Sequence, residues 1–405
     1  MIAPLAAAGL ALINAGLGRS RNAAHAMMTS LTAVAVASCV YFVLGHSLFG
    51  AAGEPARVAI VGRQTWDWLG AMPPFFIGLP TAGSPAFLTA LMGMESAALA
   101  ALIPLGSSAE RWRLSSICAS TAVTAAIVFP VFAHWSWAGG WLAKLGFVDT
   151  GGAGAIHTVG GLTGLAVVWL LGPRRGKYSS DGMPMAIPGH SVVFVLFGCM
   201  LALAGWIGLN AAGAILFAGV QLGQLALVGV DTLLGAAAAA LVAAVVTKVR
   251  FGRPDASLTA NGWVGGLVAV SAGCAFLPPA AAVLTGLVAG SLVTFSVELL
   301  ELRLEVDDPA GSISAHAVAG IWGLIATGML GRFPAGNDVM LAQVVGVATL
   351  LGFVLPVAWG LNALLDRFLP MRVSREGERQ GMDLFELGAG AYPDFVTHND
   401  DFMPR

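Results

Sequence analysis

One histidine-centred phrase is written twice in this chain. "DTGGAGAIHTVGGLTGL" runs from Asp149 to Leu165 and "DPAGSISAHAVAGIWGL" from Asp308 to Leu324; both fit D-x2-G-x4-H-x-V-x-G-x2-G-L without a gap. Imidazole is the side chain that can donate, accept or relay a proton near neutral pH. His157 and His316 each sit a few residues into an apolar stretch, with glycines at helical spacing (Gly161 and Gly164; Gly320 and Gly323) that would let two backbones approach closely. Two charged imidazoles in contact would repel, so a pair must keep at least one ring neutral. A lone histidine of this kind is usually a satisfied core group. A repeated one, if it lies in a membrane, marks a pathway. Asp149 and Asp308 read as helix-entry groups that satisfy free backbone N–H groups, not as ligands.

The elements that must position these histidines follow from composition. Hydrophobic residues make up 57% of the 405, charged residues 10%, and the mean hydropathy is +0.81. A soluble domain has roughly 25% charged residues. So apolar a chain belongs in a lipid bilayer, as helices or a closed barrel. Its apolar runs are continuous, not alternating, which selects helices. The fold expected is an all-α integral membrane protein with eleven transmembrane helices, near 1–18, 24–46, 84–107, 115–135, 153–172, 191–212, 222–247, 261–277, 280–301, 314–330 and 340–368. The first is short, from either a truncated start or an abbreviated helix; no stretch there has the form of a cleaved secretory signal. The four cysteines (Cys39, Cys118, Cys199, Cys274) fall inside apolar runs and read as core thiols. No basic tract points to nucleic acid. No nucleotide motif, nucleophile elbow or metal cluster points to an enzyme or a cofactor.

Lys and Arg set the orientation. With the N-terminus outside, Arg57, Arg63, Lys144 and Arg332 lie outside, and the other sixteen of the twenty, Arg405 among them, lie inside. The helix carrying His157 then runs inward and the one carrying His316 outward. The same phrase in opposite directions is the mark of an inverted repeat, helices 1–5 repeated as 6–10, with a long eleventh added and the site near the midplane. Residues 1–368 form the transmembrane domain expected and 369–405 a cytoplasmic tail.

With these features the chain resembles the ammonium transporter (Amt/MEP/Rh) family. The resemblance covers nearly the whole chain. It is carried by "WAGGWLAKLGFVDTGGAGAIH", "GWIGLN", "NGWVGGLVAVSAGC", "EVDDPAGSISAHAVAGIWG", the tail "RVSREGERQGMDL…GAGAYPDF", and "SAERWRLSS" with its acidic-basic pair. It implies a homotrimer with one narrow, mostly apolar pore per subunit, conducting ammonium or ammonia in a bacterial-type inner membrane. It implies a twin-histidine pair at His157 and His316, and an outer recruitment site framed by Trp137 and supported by Asp149. A PII-type signalling protein at the cytoplasmic face is an implied partner. Aromatic faces hold cations, and ammonium, unlike potassium, can give up a proton and pass as neutral ammonia.

Three positions depart from the family pattern. Ser96 and Leu209 stand where gate phenylalanines are expected, and Gly213 where a recruitment serine is. Glu95, beside Ser96 inside the third span, reads either as an interhelical or trimer contact or as an added cation or proton site at the altered entrance. Asp231 stands where the family often has Asn and reads as a structural hydrogen-bonding group. His46 and His134, near span ends, read as interfacial. Two other functions remain open: an ammonium sensor with little conduction, and a channel for another small neutral solute.

Overall fold

Long apolar runs leave the backbone only its own groups to bond with, and the computed structural model is correspondingly helical. It describes residues 2–62, 64–79, 84–333 and 339–392. Arg63, Arg405 and the tail beyond residue 392 lie outside the described residues. In chain order the helices are α1 (Pro4–Leu17), α2 (Ser20–Phe49), α3 (Pro85–Ser107), α4 (Leu114–Val123, a π-turn at Thr124–Val128, then Phe129–Trp137), α5 (Ala153–Leu171), α6 (Val192–Ala218), α7 (Leu225–Phe251), α8 (Ala256–Ser271), α9 (Pro279–Arg303), α10 (Ile313–Leu330) and α11 (Val339–Phe368). Nine helical segments among the described residues are long and apolar enough to cross a membrane. The shorter α1 and α8 complete the bundle. Large side chains such as Val193, Leu241 and Val249 are exposed on its outside, as hydrocarbon contact allows and water does not.

Three elements differ from the sequence expectation; the first is α6, which runs on to Ala218 where an end near 212 was expected. α8 begins near 256, not 261, because Asp255 caps it by accepting from the Leu258 N–H at 2.8 Å. Polar Ser257, Thr259 and Asn261 hide that first turn from a hydropathy reading. The helix ends at Ser271, and the apolar residues after it form a turn closed by Phe276 and Leu277 N–H bonds to the Gly273 carbonyl. Between α2 and α3 an antiparallel hairpin appears, β1 (Ala56–Val61) with β2 (Gln64–Gly70), which was not expected. It is held down by His134, whose ring nitrogens meet Phe49 O at 2.7 Å and Asp67 at 2.8 Å. His134 and His46 are both buried, at 1% and 2% exposure.

Small residues bring the helices together. α1 and α6 cross antiparallel: a Cβ on Gly9 would meet Ala202 N at 2.5 Å, one on Gly16 would meet the Val195 side chain, and one on Gly205 the Ala6 backbone. α7, α8 and α9 meet in the same way through Gly235, Gly266, Gly286 and Gly290. At the end of the bundle where α3, α5 and α9 finish, buried ion pairs tie the connections. Glu110 accepts from Arg19 and faces Arg174, while Asp307 accepts from Arg174 and faces the fully buried Arg111. Burial alone would raise the Asp307 carboxyl, but hydrogen bonds from Arg174 and the charges of Arg111 and Arg174 outweigh it and hold it at about 2. The tail segment packs against this same end. Glu378 pairs with Arg372 and Arg175, and Asp383 accepts the N–H groups of Ala24 and His25. These pairs close within one chain. Gly381 makes the turn with φ +103.

Candidate functional site: a buried histidine pair and an outer tryptophan

The repeated phrase folds twice into an aspartate cap followed by a π-turn, with cap and turn displaced by one residue between the two copies. Asp149 Oδ2 accepts from the N–H groups of Gly154 and Ala155 at 3.1 and 2.7 Å; Asp308 accepts from those of Ser312 and Ile313 at 2.9 and 2.7 Å. Each cap opens a π-turn, Ala153–Thr158 or Ile313–Val318, that carries the histidine. The second residue after each aspartate then bonds to the end of a different helix. The Gly151 N–H reaches Ser271 O of α8 at 2.8 Å, and the Ala310 N–H reaches Gly106 O of α3 at 3.3 Å.

The two phrases meet reciprocally. A Cβ on Gly161 would lie 2.5 Å from Ala317 N, and one on Gly320 would lie 2.6 Å from Ala153 O. Residues after one histidine therefore touch residues beside or before the other, and α5 and α10 cross antiparallel. This crossing places His157 Nδ1 3.3 Å from His316 Nδ1, with ring centroids 5.3 Å apart. The rings are 0% and 2% exposed. One nitrogen of such a pair must carry the proton and the other accept it, so the two rings share one hydrogen bond and take opposite roles. His157 Nε2 is buried without a partner and is free to bond a small polar guest.

Trp206 was not singled out in the sequence. It stacks on His157 at 4.7 Å and 11°, and lies 6.4 Å from His316. Its Nε1 donates to Ser271 Oγ at 3.2 Å, which fixes the indole. Trp206, Leu209, Gly213 and Phe217 follow one another at helical spacing on α6. This stripe climbs from the histidines to Trp137, since eleven residues of helix span about 16 Å.

Trp137 ends α4 and donates its Nε1–H to the Asp149 carbonyl at 2.6 Å. The two expected outer-site residues are therefore in contact, through the aspartate backbone. The Asp149 carboxylate caps α5 by one oxygen, and its Oδ1 is buried without a partner. Leu209 and Ser96 are fully buried, with Ser96 Oγ unpartnered. Gly213 lies against Thr150 O, so close that a side chain there would displace the backbone; the space of the expected hydroxyl is filled by main chain. Glu95 is turned elsewhere. It lines a cavity of about 470 Å³ between α1, α2 and α3, with Ala7, Ala11, Leu31 and Val34, and does not join the histidine pair or Trp137. Asp231 is fully buried, and neither carboxylate oxygen has a hydrogen-bond partner among the described residues; the structural bond expected of it is missing. No group of three or more His, Cys, Asp or Glu among the described residues is arranged to hold a metal.

Fold and site together define a helical membrane protein with a water-excluded histidine pair at the crossing of two like helices, and the comparisons with known proteins give its family. The model of the Ammonium Transporter Family matches residues 2–392. Ammonium transporter Amt2 of Archaeoglobus fulgidus is 35% identical over 96% of this chain and 85% of its own. The ammonium transporter of Bacillus subtilis is 29% identical over 95% and 94%. Among solved structures, one described as a sensor Amt protein superposes with a TM-score of 0.86 at 27% identity, covering 95% of each chain. Mep2 of Candida albicans superposes with a TM-score of 0.79 at 25% identity, over 93% of this chain and 84% of its own. The chain belongs to the ammonium transporter family and is a multi-pass membrane protein.

Proposed function

We propose that this protein is a channel-type transporter that recruits ammonium at Trp137 and passes it as ammonia along the His157–His316 pair. The observation that carries the reading is the 3.3 Å contact between two imidazoles shut off from water. A cation at the bilayer centre is costly. A guest that leaves a proton behind crosses as a neutral molecule. Potassium has none to leave. Neutral imidazoles offer that guest both a donor and an acceptor, and their shared hydrogen bond lets a proton change ends.

The inverted repeat is supported by three reciprocal relations: α1 against α6, α5 against α10, and the matched bonds of Gly151 to α8 and Ala310 to α3. It accords with an eleven-span domain at 1–368 and a tail from 369, with the N-terminus outside and the tail in the cytoplasm. A homotrimer in the inner membrane and a PII-type partner at the cytoplasmic face are parts of the same reading. A second reading, an ammonium sensor with little conduction, is favoured by the solved relative described as a sensor and by the non-aromatic residues at 96 and 209.

Uptake by purified protein in liposomes separates them. The transporter gives ammonium uptake well above potassium uptake, and loses it in His157→Ala and His316→Ala. Ammonium binding without uptake would replace it with the sensor.

A further inference from the structure

The Trp137 face is not open. Phe217 lies parallel to it, with ring centroids 4.6 Å apart and planes at 10°. Phe49 and Phe129 stand edge-on to the indole at 6.5 and 6.2 Å, and Trp137 is only 7% exposed. A cation between two aromatic faces needs about 7 Å between them, two contact distances. One of the rings must therefore retreat before a cation can be held. Trp137 is tethered by its Nε1 bond to the Asp149 carbonyl. Phe217 is not tethered. It is half-buried, next to last in α6, and Gly219 follows at φ +64.

We infer that Phe217 is the lid of this chain's outer site, a ring that must leave the Trp137 face before ammonium or a small alkylammonium ion can occupy it. The inference rests on the recruitment role proposed above for Trp137. It also accounts for the departures at the entrance. The aromatic side chain absent from 96 and 209 is supplied two turns further along the same face of α6, about 12 Å beyond Leu209. Gly213, between them, gives the Thr150 backbone room to lie against the helix. A lid that stacks on the binding face competes with the ion, and it opposes a methylated ion more than ammonium because the ring must move further.

An aromatic stack is worth about two- to tenfold in an equilibrium constant. Calorimetric titration of the full-length protein with methylammonium chloride reads this without requiring flux. Phe217→Leu, which keeps apolar burial and removes the ring, should bind methylammonium about two- to tenfold more tightly than wild type. The same change in a Trp137→Leu background should give no such gain. Unchanged or weaker binding in Phe217→Leu overturns the lid, as does a gain that survives the loss of Trp137. Liposome uptake by the wild type is measured alongside. Its absence removes the transporter reading, while the titration still decides whether Phe217 covers the site.

Discussion

Gly161 and Gly320 hold the histidine pair together by having no side chain, and that can be measured. Gly161→Ala would place a Cβ 2.5 Å from Ala317 N and 2.8 Å from the Ala317 Cβ. Ordinary contact begins near 3.4 Å, so α5 and α10 must part by about 1 Å in a close-packed interior. The same movement carries the imidazoles from 3.3 Å to about 4.3 Å, beyond a hydrogen bond. Overpacking of this kind costs about 1–3 kcal/mol. Gly320→Ala strikes the Thr158 side chain and Ala153 O across the same crossing. One separation relieves both clashes, so the double variant should cost less than the two single costs added, with a coupling of about 1 kcal/mol. Unfolding in mixed micelles gives the energies, and ammonium uptake in liposomes reports the pair; both single variants should lose uptake. Gly161→Ala within about 0.5 kcal/mol of wild type and with uptake intact would refute the close approach. Additive costs would show that the two glycines do not share one contact.

Asp149→Ala strands the buried Gly154 and Ala155 N–H groups and should destabilise by about 2–4 kcal/mol, whereas Asp149→Asn keeps an acceptor and should recover most of it; equal losses in the two would count against the capping role. Glu386 reports on the tail clamp, accepting from His25 Nε2 at 2.9 Å and the Leu114 N–H at 2.8 Å. Burial raises its carboxyl, but those hydrogen bonds and the nearby charge of His25 outweigh burial and leave it lowered. A lowered carboxyl contributes stability that is complete above the ordinary value of about 4.3 and is lost as pH falls through the folded value. Hydrogen exchange at the Leu114 N–H, which Glu386 accepts, should thus stay protected from pH 7 to 5 and rise below about 4; release already at pH 5–6 would count against Glu386 as the group that holds the clamp.

The sequence by itself determined the medium, the helices and the pair. Charge scarcity placed the chain in a bilayer, where unbroken apolar runs leave helices as the open-ended solution. The runs therefore give α5, α9, α10 and α11 to within a residue or two. The repeated phrase named His157 and His316, because the shared Asp, Gly and His positions build a like cap and π-turn in both copies, one residue apart in register. Trp206 and Phe217 were also within reach, at helical spacing from Leu209 on one face of α6. Spacing, however, says which residues share a face and not what that face meets. Only tertiary structure decided that Phe217 lies on Trp137, eighty residues away in sequence. It decided equally that Glu95 opens toward α1 and α2, though Ser96 beside it is fully buried. Neighbours on a helix diverge by about 100°, so which of the two faces inward depends on how the surrounding helices pack. That packing is set by small residues meeting backbone across helices distant in the chain, a relation no local pattern encodes.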